Sequence, residues 1–157
     1  MNLTFDRDGL KFYFKDEGNG VPFVYQHGLG ADITQPFSFF AGGHRGMRLL
    51  SLDCRAHGQT RPLGPEEKIS ISTFADDVVA FMDIRKLETA VVGGISMGAA
   101  IALNIALRYP DRVKALIVQR PAWLGQPMPD NLRVLVAIGE LIREHGAPRG
   151  QEIFKTL

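Results

Sequence analysis

The chain has 157 residues, a length that fits one domain of ordinary size or part of a larger one. Apolar residues make up 45% and charged residues 22%, which is typical of a globular chain with a core and excludes a disordered tail, a collagen-like fibre or a disulfide miniprotein. The 18 Lys and Arg side chains nearly balance the 17 Asp and Glu side chains, so the net charge of +1 gives no electrostatic attraction for nucleic acid or an anionic membrane.

Cys54 is the single cysteine, so no internal disulfide can form, and no Cys/His cluster has zinc-binding spacing. A reducing compartment is therefore expected. Near the N-terminus, Asp6, Arg7 and Asp8 interrupt any apolar run, which is unlike a signal peptide. We predict a cytoplasmic protein that binds no metal or other cofactor and that has neither nucleic acid nor a membrane as a partner.

One uncharged stretch runs from Thr89 to Leu107 and is nearly long enough to span a bilayer. Gly93, Gly94 and Asn104 interrupt it, however. Its first half, AVVGGIS, is rich in β-branched residues, and its second half, MGAAIALNIAL, is typical of a helix. We therefore interpret it as a buried strand that turns into a buried helix.

The first half of the chain is predicted to be rich in strands. Two β-prone runs around the turn Asp8-Gly9 predict a hairpin over 3–15. Apolar runs and loops then alternate: a strand at 22–26, a short helix near 35–41, a strand at 47–53 and a polar loop over 54–68.

Helices and strands alternate from residue 73 onward. Residues 73–86 carry apolar side chains at spacings of three and four, which predicts a helix, and Thr73 followed by Asp76 resembles a capping box at its start. A strand at 90–96, a helix at 97–108 and a strand at 113–118 follow. This order predicts an α/β fold, with a mostly parallel sheet of about six strands and flanking helices.

A proline-rich break separates the last part of the chain, with prolines at 121, 127 and 129. After it, an apolar stripe predicts a helix over 131–144, with Gly146 as its C-terminal cap. We therefore predict two regions, a sheet-containing region at 1–125 and a mainly helical one at 126–157.

The main chemical signal is Gly94-Ile95-Ser96-Met97-Gly98, a G-x-S-x-G at the predicted junction of a strand and a helix. A turn this sharp brings the residues two before and two after the serine together, which requires Gly94 and Gly98. It also projects the hydroxyl above the sheet edge, where the first N–H groups of the helix can stabilise an oxyanion. The alternative is a glycine-rich turn in which Ser96 only caps the helix.

Two further motifs follow predicted strands. His27-Gly28-Leu29-Gly30 follows the strand 22–26, and its tight turn can direct a backbone N–H at the Ser96 hydroxyl. The alternative is an ordinary loop with a hydrogen-bonded histidine. Residues 53–60, DCRAHGQT, begin at the end of the strand 47–53, and we expect their polar side chains to tie the loop together rather than to supply a base.

These motifs, together with ALRYPDRVKALIV at 106–118, resemble the N-terminal part of the α/β-hydrolase fold superfamily over residues 1–125. The resemblance implies an incomplete α/β-hydrolase fold, with 126–157 as the start of a cap or lid region. It implies that Ser96 is the catalytic nucleophile and that the N–H groups of Leu29 and Met97 form the oxyanion hole. Four residues would shape the site: His27, Gly28, Gly94 and Gly98. The implied reaction is acyl transfer to water from a small ester-like or other acyl substrate.

The acid and the base of such a site are missing from the sequence. The family's order is Ser, then Asp or Glu, then His, and a serine hydroxyl needs that base. Asp130 and His145 have the right order, but they lie at opposite ends of a predicted helix, about 22 Å apart at helical rise. We therefore predict a truncated serine hydrolase with little activity alone.

Truncation would also expose a strand. In the family's strand order, 113–118 is internal, and here it would become an edge that invites pairing with another chain. We expect self-association through this strand or through the helix 131–144.

Two other functions fit parts of the pattern. A non-catalytic binding or interaction protein on a partial hydrolase scaffold would explain the missing acid and base. Dinucleotide binding through VVGGISMG is disfavoured, because glycines at 93, 94 and 98 do not match G-x-G-x-x-G. A serine at the elbow also disfavours dehalogenase or epoxide hydrolase chemistry, whereas lactonase, carbon–carbon hydrolase and haloperoxidase-like activities stay open beside an esterase.

Overall fold

A β-hairpin begins the fold, with β1 Leu3–Arg7 paired antiparallel to β2 Leu10–Gly18. Asp8 and Gly9 form its turn with φ values of 53° and 74°, the positive pair that a type I′ two-residue turn requires. The computed structural model describes residues 3–43, 46–121 and 127–156. The predicted hairpin is confirmed, and β2 extends beyond residue 15.

Four further strands join the hairpin in one sheet: β3 Val21–Gln26, β4 Met47–Leu52, β5 Ala90–Ile95 and β6 Val113–Gln119. Their order across the sheet is β1-β2-β4-β3-β5-β6. The last four strands in this order are mutually parallel, whereas β2 joins β4 antiparallel. The predicted α/β class with a mostly parallel sheet of six strands is confirmed. Because parallel strands end at the same edge, β3 and β5 deliver residues 27–30 and Ser96 to one place.

Three helices accompany the sheet: α1 Thr34–Phe39, α2 Ile71–Ile84 and α3 Met97–Arg108. α2 begins after Ser70, whose Oγ accepts the N–H of Thr73 at 3.2 Å. The predicted capping box led by Thr73 is therefore wrong. Ser70 is the cap because its extended backbone, with φ of −147°, places the hydroxyl over the first turn of the helix.

The two faces of the sheet are covered unequally. Alternate residues of a strand face opposite sides, so Val24 lies in one cluster while Phe23 and Tyr25 lie in the other. The first cluster is large and packs the sheet against α2 and α3. The second consists of four buried side chains, Phe23, Tyr25, Phe37 and Leu49, with partly buried neighbours around them.

Strand β6 lies at the edge of the sheet and is exposed along most of its length. Leu116, Ile117 and Val118 keep 38%, 45% and 36% of their surface in contact with solvent. The strand pairs with β5 on one side, and no strand among the described residues pairs with its other side. The predicted position of 113–118 at an edge is therefore confirmed.

The chain divides into two units, 1–122 and 123–157. In the second, a single 3-10 turn at Asp130–Leu132 leads into α4 Arg133–Phe154, which is interrupted at Gly146 by a φ of 75° and ψ of 160°. The helix predicted over 131–144 is thus confirmed in part, and its resumption to residue 154 was missed. Gly146 ends the first segment as expected, but Pro148 begins a second one, because proline is tolerated in the first turn of a helix.

Within the described parts of both units, no helix is long and apolar enough to cross a membrane. The uncharged stretch 89–107 is the strand β5 followed by the helix α3, as interpreted from the sequence.

Candidate active site

Ser96 occupies a sharp turn between β5 and α3, with a φ of 53° and a ψ of −110°. A positive φ is strained for a residue with a Cβ atom and persists only where the surroundings enforce it. The backbone of Gln119 contributes here, since its carbonyl accepts the N–H of Ser96 at 3.0 Å. The carbonyl of Ser96 in turn accepts the N–H of Ala100 at 3.1 Å, which begins α3. Ser96 is partly exposed, and its hydroxyl makes no cap bond to the helix.

The two glycines of the motif are required by close backbone approach. A Cβ added at Gly94 would overlap the backbone of Gly98, which is the approach expected from the sequence. A Cβ added at Gly98 would overlap the carbonyl group of Gln26 instead. Gly98 therefore lets α3 lie directly against β3 as well as closing the turn around Ser96.

The loop after β3 brings a free backbone N–H beside this turn. The N–H of Ala31 donates to the carbonyl of Gly28 at 3.1 Å, and Gly30 has a φ of 73°, as a type II turn requires. Leu29 lies at the first central position, where its N–H has no acceptor among the described residues. A Cβ added at Gly28 would lie 3.7 Å from the Ser96 Cβ, so the loop and the serine are neighbours.

Gln35, at the start of α1, holds this loop in place. Its Oε1 accepts the N–H of Gly28 at 2.8 Å, which fixes the His27–Gly28 peptide, the neighbour of the peptide that carries the Leu29 N–H. Sequence reasoning missed Gln35, because no local pattern connects a helix residue to a backbone group seven positions earlier.

His27 is fully buried and uses both ring nitrogens. Its Nε2 accepts the N–H of Cys54 at 3.1 Å, so the ring proton is on Nδ1, which donates to the carbonyl of Gly28 at 2.9 Å. Burial lowers the pKa of His27, and the bond to Gly28 offsets this only in part. The neutral imidazole therefore connects the loop 27–30 to the loop after β4 and has no free lone pair with which to act as a base.

The segment 53–60 is tied together by its own polar groups, as expected. Asp53 is buried, and its carboxylate accepts the N–H groups of Ile33 and Gln59, each at 2.7 Å. A Cβ added at Gly58 would overlap this carboxylate. The Oγ1 of Thr60 donates to the carbonyl of Asp53 at 2.8 Å. Asp53 thus joins α1 to the loop after β4 and contributes no free group to the serine.

The other histidines do not complete a catalytic site within the described part of the first unit. His57 Nδ1 lies 2.8 Å from the carbonyl of Arg55, and no imidazole there hydrogen-bonds Ser96. In the second unit, the Asp130 carboxylate accepts a hydrogen bond from the Arg133 guanidinium at 2.8 Å. His145 lies beside Glu144 at the end of the first segment of α4. His44 lies outside the described residues.

The comparisons with known proteins identify the family. The family model described as alpha/beta hydrolase fold matches residues 21–138, which include β3, β5, α3 and the turn at Ser96. The chain belongs to the α/β-hydrolase fold family.

The similar proteins are longer than this chain. The AB hydrolase superfamily protein YisY of Bacillus subtilis (strain 168) is 31% identical over 123 residues, and the match covers 75% of this chain and 45% of YisY. Among solved structures, Est816 is described as an N-acyl homoserine lactone degrading enzyme and is 28% identical, with a TM-score of 0.69. The match covers 91% of this chain and 52% of the Est816 chain. The enol-lactonase from Burkholderia xenovorans LB400, at 23% identity and a TM-score of 0.75, shares the fold over 92% of this chain and 55% of its own. The match thus spans less than half the length of the first curated relatives.

Proposed function

We propose that the chain carries the nucleophile and oxyanion hole of a serine hydrolase that acts on a small ester-like or other acyl substrate. The observation that carries this proposal is the strained turn at Ser96, with a φ of 53° at the N-terminus of α3. The first N–H groups of a helix have no intrahelical acceptor, so the N–H of Met97 is available beside the serine, as is that of Leu29. Two such donors are the usual stabilisers of an acyl-transfer oxyanion.

In this mechanism, the Ser96 Oγ attacks the acyl carbon, its proton passes to a base and the leaving group departs with a proton. Water then hydrolyses the acyl-serine and regenerates the hydroxyl. No imidazole in the described part of the first unit is hydrogen-bonded to Ser96, so we propose that this chain is a truncated form that lacks the acid and the base and turns over little substrate alone. We also propose that residues 126–157 begin a cap region, since α4 forms a unit after the sheet.

Labelling with a fluorophosphonate in the presence of added imidazole tests the nucleophile, because imidazole supplies the missing base. We expect Ser96 to be labelled at least about tenfold faster than the exposed Ser72, since oxyanion donors accelerate such attack by about two to three orders of magnitude. Peptide mass spectrometry locates the label, and Ser72→Ala is the matched control for Ser96→Ala. Labelling that is unaffected by Ser96→Ala would refute the proposal. Rapid turnover of p-nitrophenyl esters that depends on Ser96, without imidazole, would refute only the expected inactivity.

A second candidate is a non-catalytic binding or interaction protein. It is favoured by one observation, that no imidazole in the described part of the first unit is bonded to Ser96. The same labelling distinguishes the two functions, because a site that performs no acyl transfer should leave Ser96 no more reactive than Ser72.

We further propose that the chain self-associates through the apolar edge β6 or the helix 131–144. Ile117 on β6 is 45% exposed, and the unpaired side of an edge strand invites a second strand. Sedimentation velocity should show association at high concentration that Ile117→Lys reduces. Leu107→Lys, at a residue of α3 that is 81% exposed, is the matched control and should change nothing. A monomer at every concentration would contradict this proposal.

We also propose a cytoplasmic location, because Cys54 is a buried free thiol.

A further inference from the structure

Gln119, the last residue of β6, makes two contacts that lead to the Ser96 turn. Its backbone carbonyl accepts the N–H of Ser96 at 3.0 Å. Its side-chain Oε1 accepts the hydroxyl proton of Tyr25, a residue of β3 that is 1% exposed. The same residue therefore receives one hydrogen bond from the serine and another from a tyrosine two strands away.

The second contact, between the Tyr25 hydroxyl and Gln119, requires a residue without a side chain at position 93. β5 lies between β3 and β6, with Tyr25 paired to Gly93 and Gly93 paired to Ile117. A Cβ added at Gly93 would lie 3.0 Å from Tyr25 Cδ2 and 2.8 Å from the Ile117 carbonyl, both too close. The absence of a side chain at Gly93 thus lets the phenol ring lie across β5 and reach the end of β6.

We propose that Tyr25 and Gln119 are positioning residues for the nucleophile, an inference that rests on the proposed function. β6 is an edge strand, exposed from Lys114 to Gln119, and the chain turns sharply after it, since Arg120 has a φ of 45°. The end of such a strand opens readily. The Tyr25 hydroxyl holds it against β5 and β3, which keeps the Gln119 carbonyl on the N–H of Ser96. Without that acceptor, the strained turn loses one of the contacts that enforce it.

A purely structural role predicts something different. If the contact only stabilised the fold, its loss would increase the opening of the whole sheet. If it positions Ser96, its loss acts first on the Ser96 N–H. Amide hydrogen exchange separates the two, and it requires no catalytic activity.

The test compares Tyr25→Phe with Tyr109→Phe by amide exchange in the 157-residue chain, followed by NMR. Both variants remove one phenol hydroxyl that donates a hydrogen bond, and that of Tyr109 goes to Asp76 at 2.7 Å, away from Gln119. We expect Tyr25→Phe to speed exchange of the Ser96 amide about three- to tenfold relative to that of Ile101, as loss of one hydrogen bond implies. Tyr109→Phe should leave this ratio unchanged. Equal acceleration of Ser96 and Ile101 in Tyr25→Phe would overturn the proposal.

Variants of the exposed acceptor provide a second, independent measurement. Gln119→Met removes the Oε1 and should speed exchange of the Ser96 amide as Tyr25→Phe does. Gln119→Glu keeps an oxygen acceptor and should leave the exchange rate of the Ser96 amide as it is in the unmodified chain. Tyr25→Phe should also slow the imidazole-assisted labelling of Ser96. Faster exchange with undiminished labelling would overturn the link to the nucleophile. If the unmodified chain shows no labelling of Ser96 at all, the proposed function itself fails, which the parent protein reveals before any variant is made.

Discussion

β5 and β6 are neighbouring strands of similar apolar composition that differ sharply in burial. β5 has the sequence AVVGGI and is buried or half-buried throughout, and Val92 is completely inaccessible. β6 has the sequence VKALIVQ, and Val118 keeps 36% of its surface exposed. Both strands contact α3, but β5 is paired with a strand on each side, whereas β6 is paired with β5 alone among the described strands. Burial in a parallel sheet is thus decided by neighbours rather than by the strand's own residues.

The candidate site depends on both strands. The buried strand β5 ends at Ser96, whose turn is fixed by glycines that fit against β3 and α3. The acceptor for the Ser96 N–H, however, lies at the end of the exposed strand β6. The contrast between the two strands therefore predicts where substitutions will be costly and where they will be tolerated.

The largest effect is expected for Gly94→Ala at the end of β5. Its Cβ would overlap the backbone of Gly98, which cannot move without displacing α3. We expect a loss of more than about 4 kcal/mol in the free energy of unfolding, measured by urea denaturation. Gly139→Ala in α4 is the matched control, because nothing lies within 4 Å of its added Cβ, and it should stabilise its helix by up to about 1 kcal/mol. A mild effect at Gly94 would show that the turn is less tightly packed than described.

The second-largest loss in the free energy of unfolding is expected for Val92→Ala, in the interior of β5. This side chain is fully buried in the large cluster between the sheet and the helices α2 and α3. Removal of two carbon atoms from such a site should cost about 2 kcal/mol, counting transfer and the cavity left behind. Urea denaturation measures the change, and a loss below about 0.5 kcal/mol, typical of surface positions, would contradict the burial of β5.

The sequence predicted both strands of this comparison and part of their difference. Both strands were identified as apolar runs, and the resemblance to the family's strand order, taken with truncation, predicted 113–118 as an exposed edge. The turn at Ser96 was predicted because Gly94, Ser96 and Gly98 are close in sequence and their steric requirement is local. The contacts of Gln35, Tyr25 and Gln119 were not predicted, because each joins distant parts of the chain. No local pattern encodes such pairs.

Two helix boundaries also depend on conformation and packing that a local sequence pattern does not encode. Ser70 and Thr73 are both acceptable caps, and only the backbone conformation at Ser70 decides between them. Gly146 correctly marked an interruption of α4. The resumption after it depends on packing inside the second unit, where a Cβ added at Gly150 would lie 2.9 Å from the Leu141 carbonyl.

A pH effect is expected from His27, which follows the buried end of β3. Because burial lowers its pKa in the folded chain, the unfolded chain binds a proton first as the pH falls below about 6.5. Stability should therefore be complete above this pH and decrease below it, by at most about 1.4 kcal/mol per pH unit. Urea denaturation at pH 7.5 and 5.5 measures the decrease, and His27→Gln should reduce it even though that variant is less stable at pH 7.5. An equal decrease in both proteins would assign the effect to other groups.

The smallest effect is expected for Val118→Ala on β6. In dilute solution the exposed side chain should contribute less than about 0.5 kcal/mol to the free energy of unfolding, as surface positions usually do. At high concentration, pairing through β6 would add stability that depends on concentration, and the same substitution would then cost more. Urea denaturation at two protein concentrations separates these cases. A cost in dilute solution comparable to that of Val92→Ala would mean that β6 is covered in the monomer, and the contrast between the two strands would no longer hold.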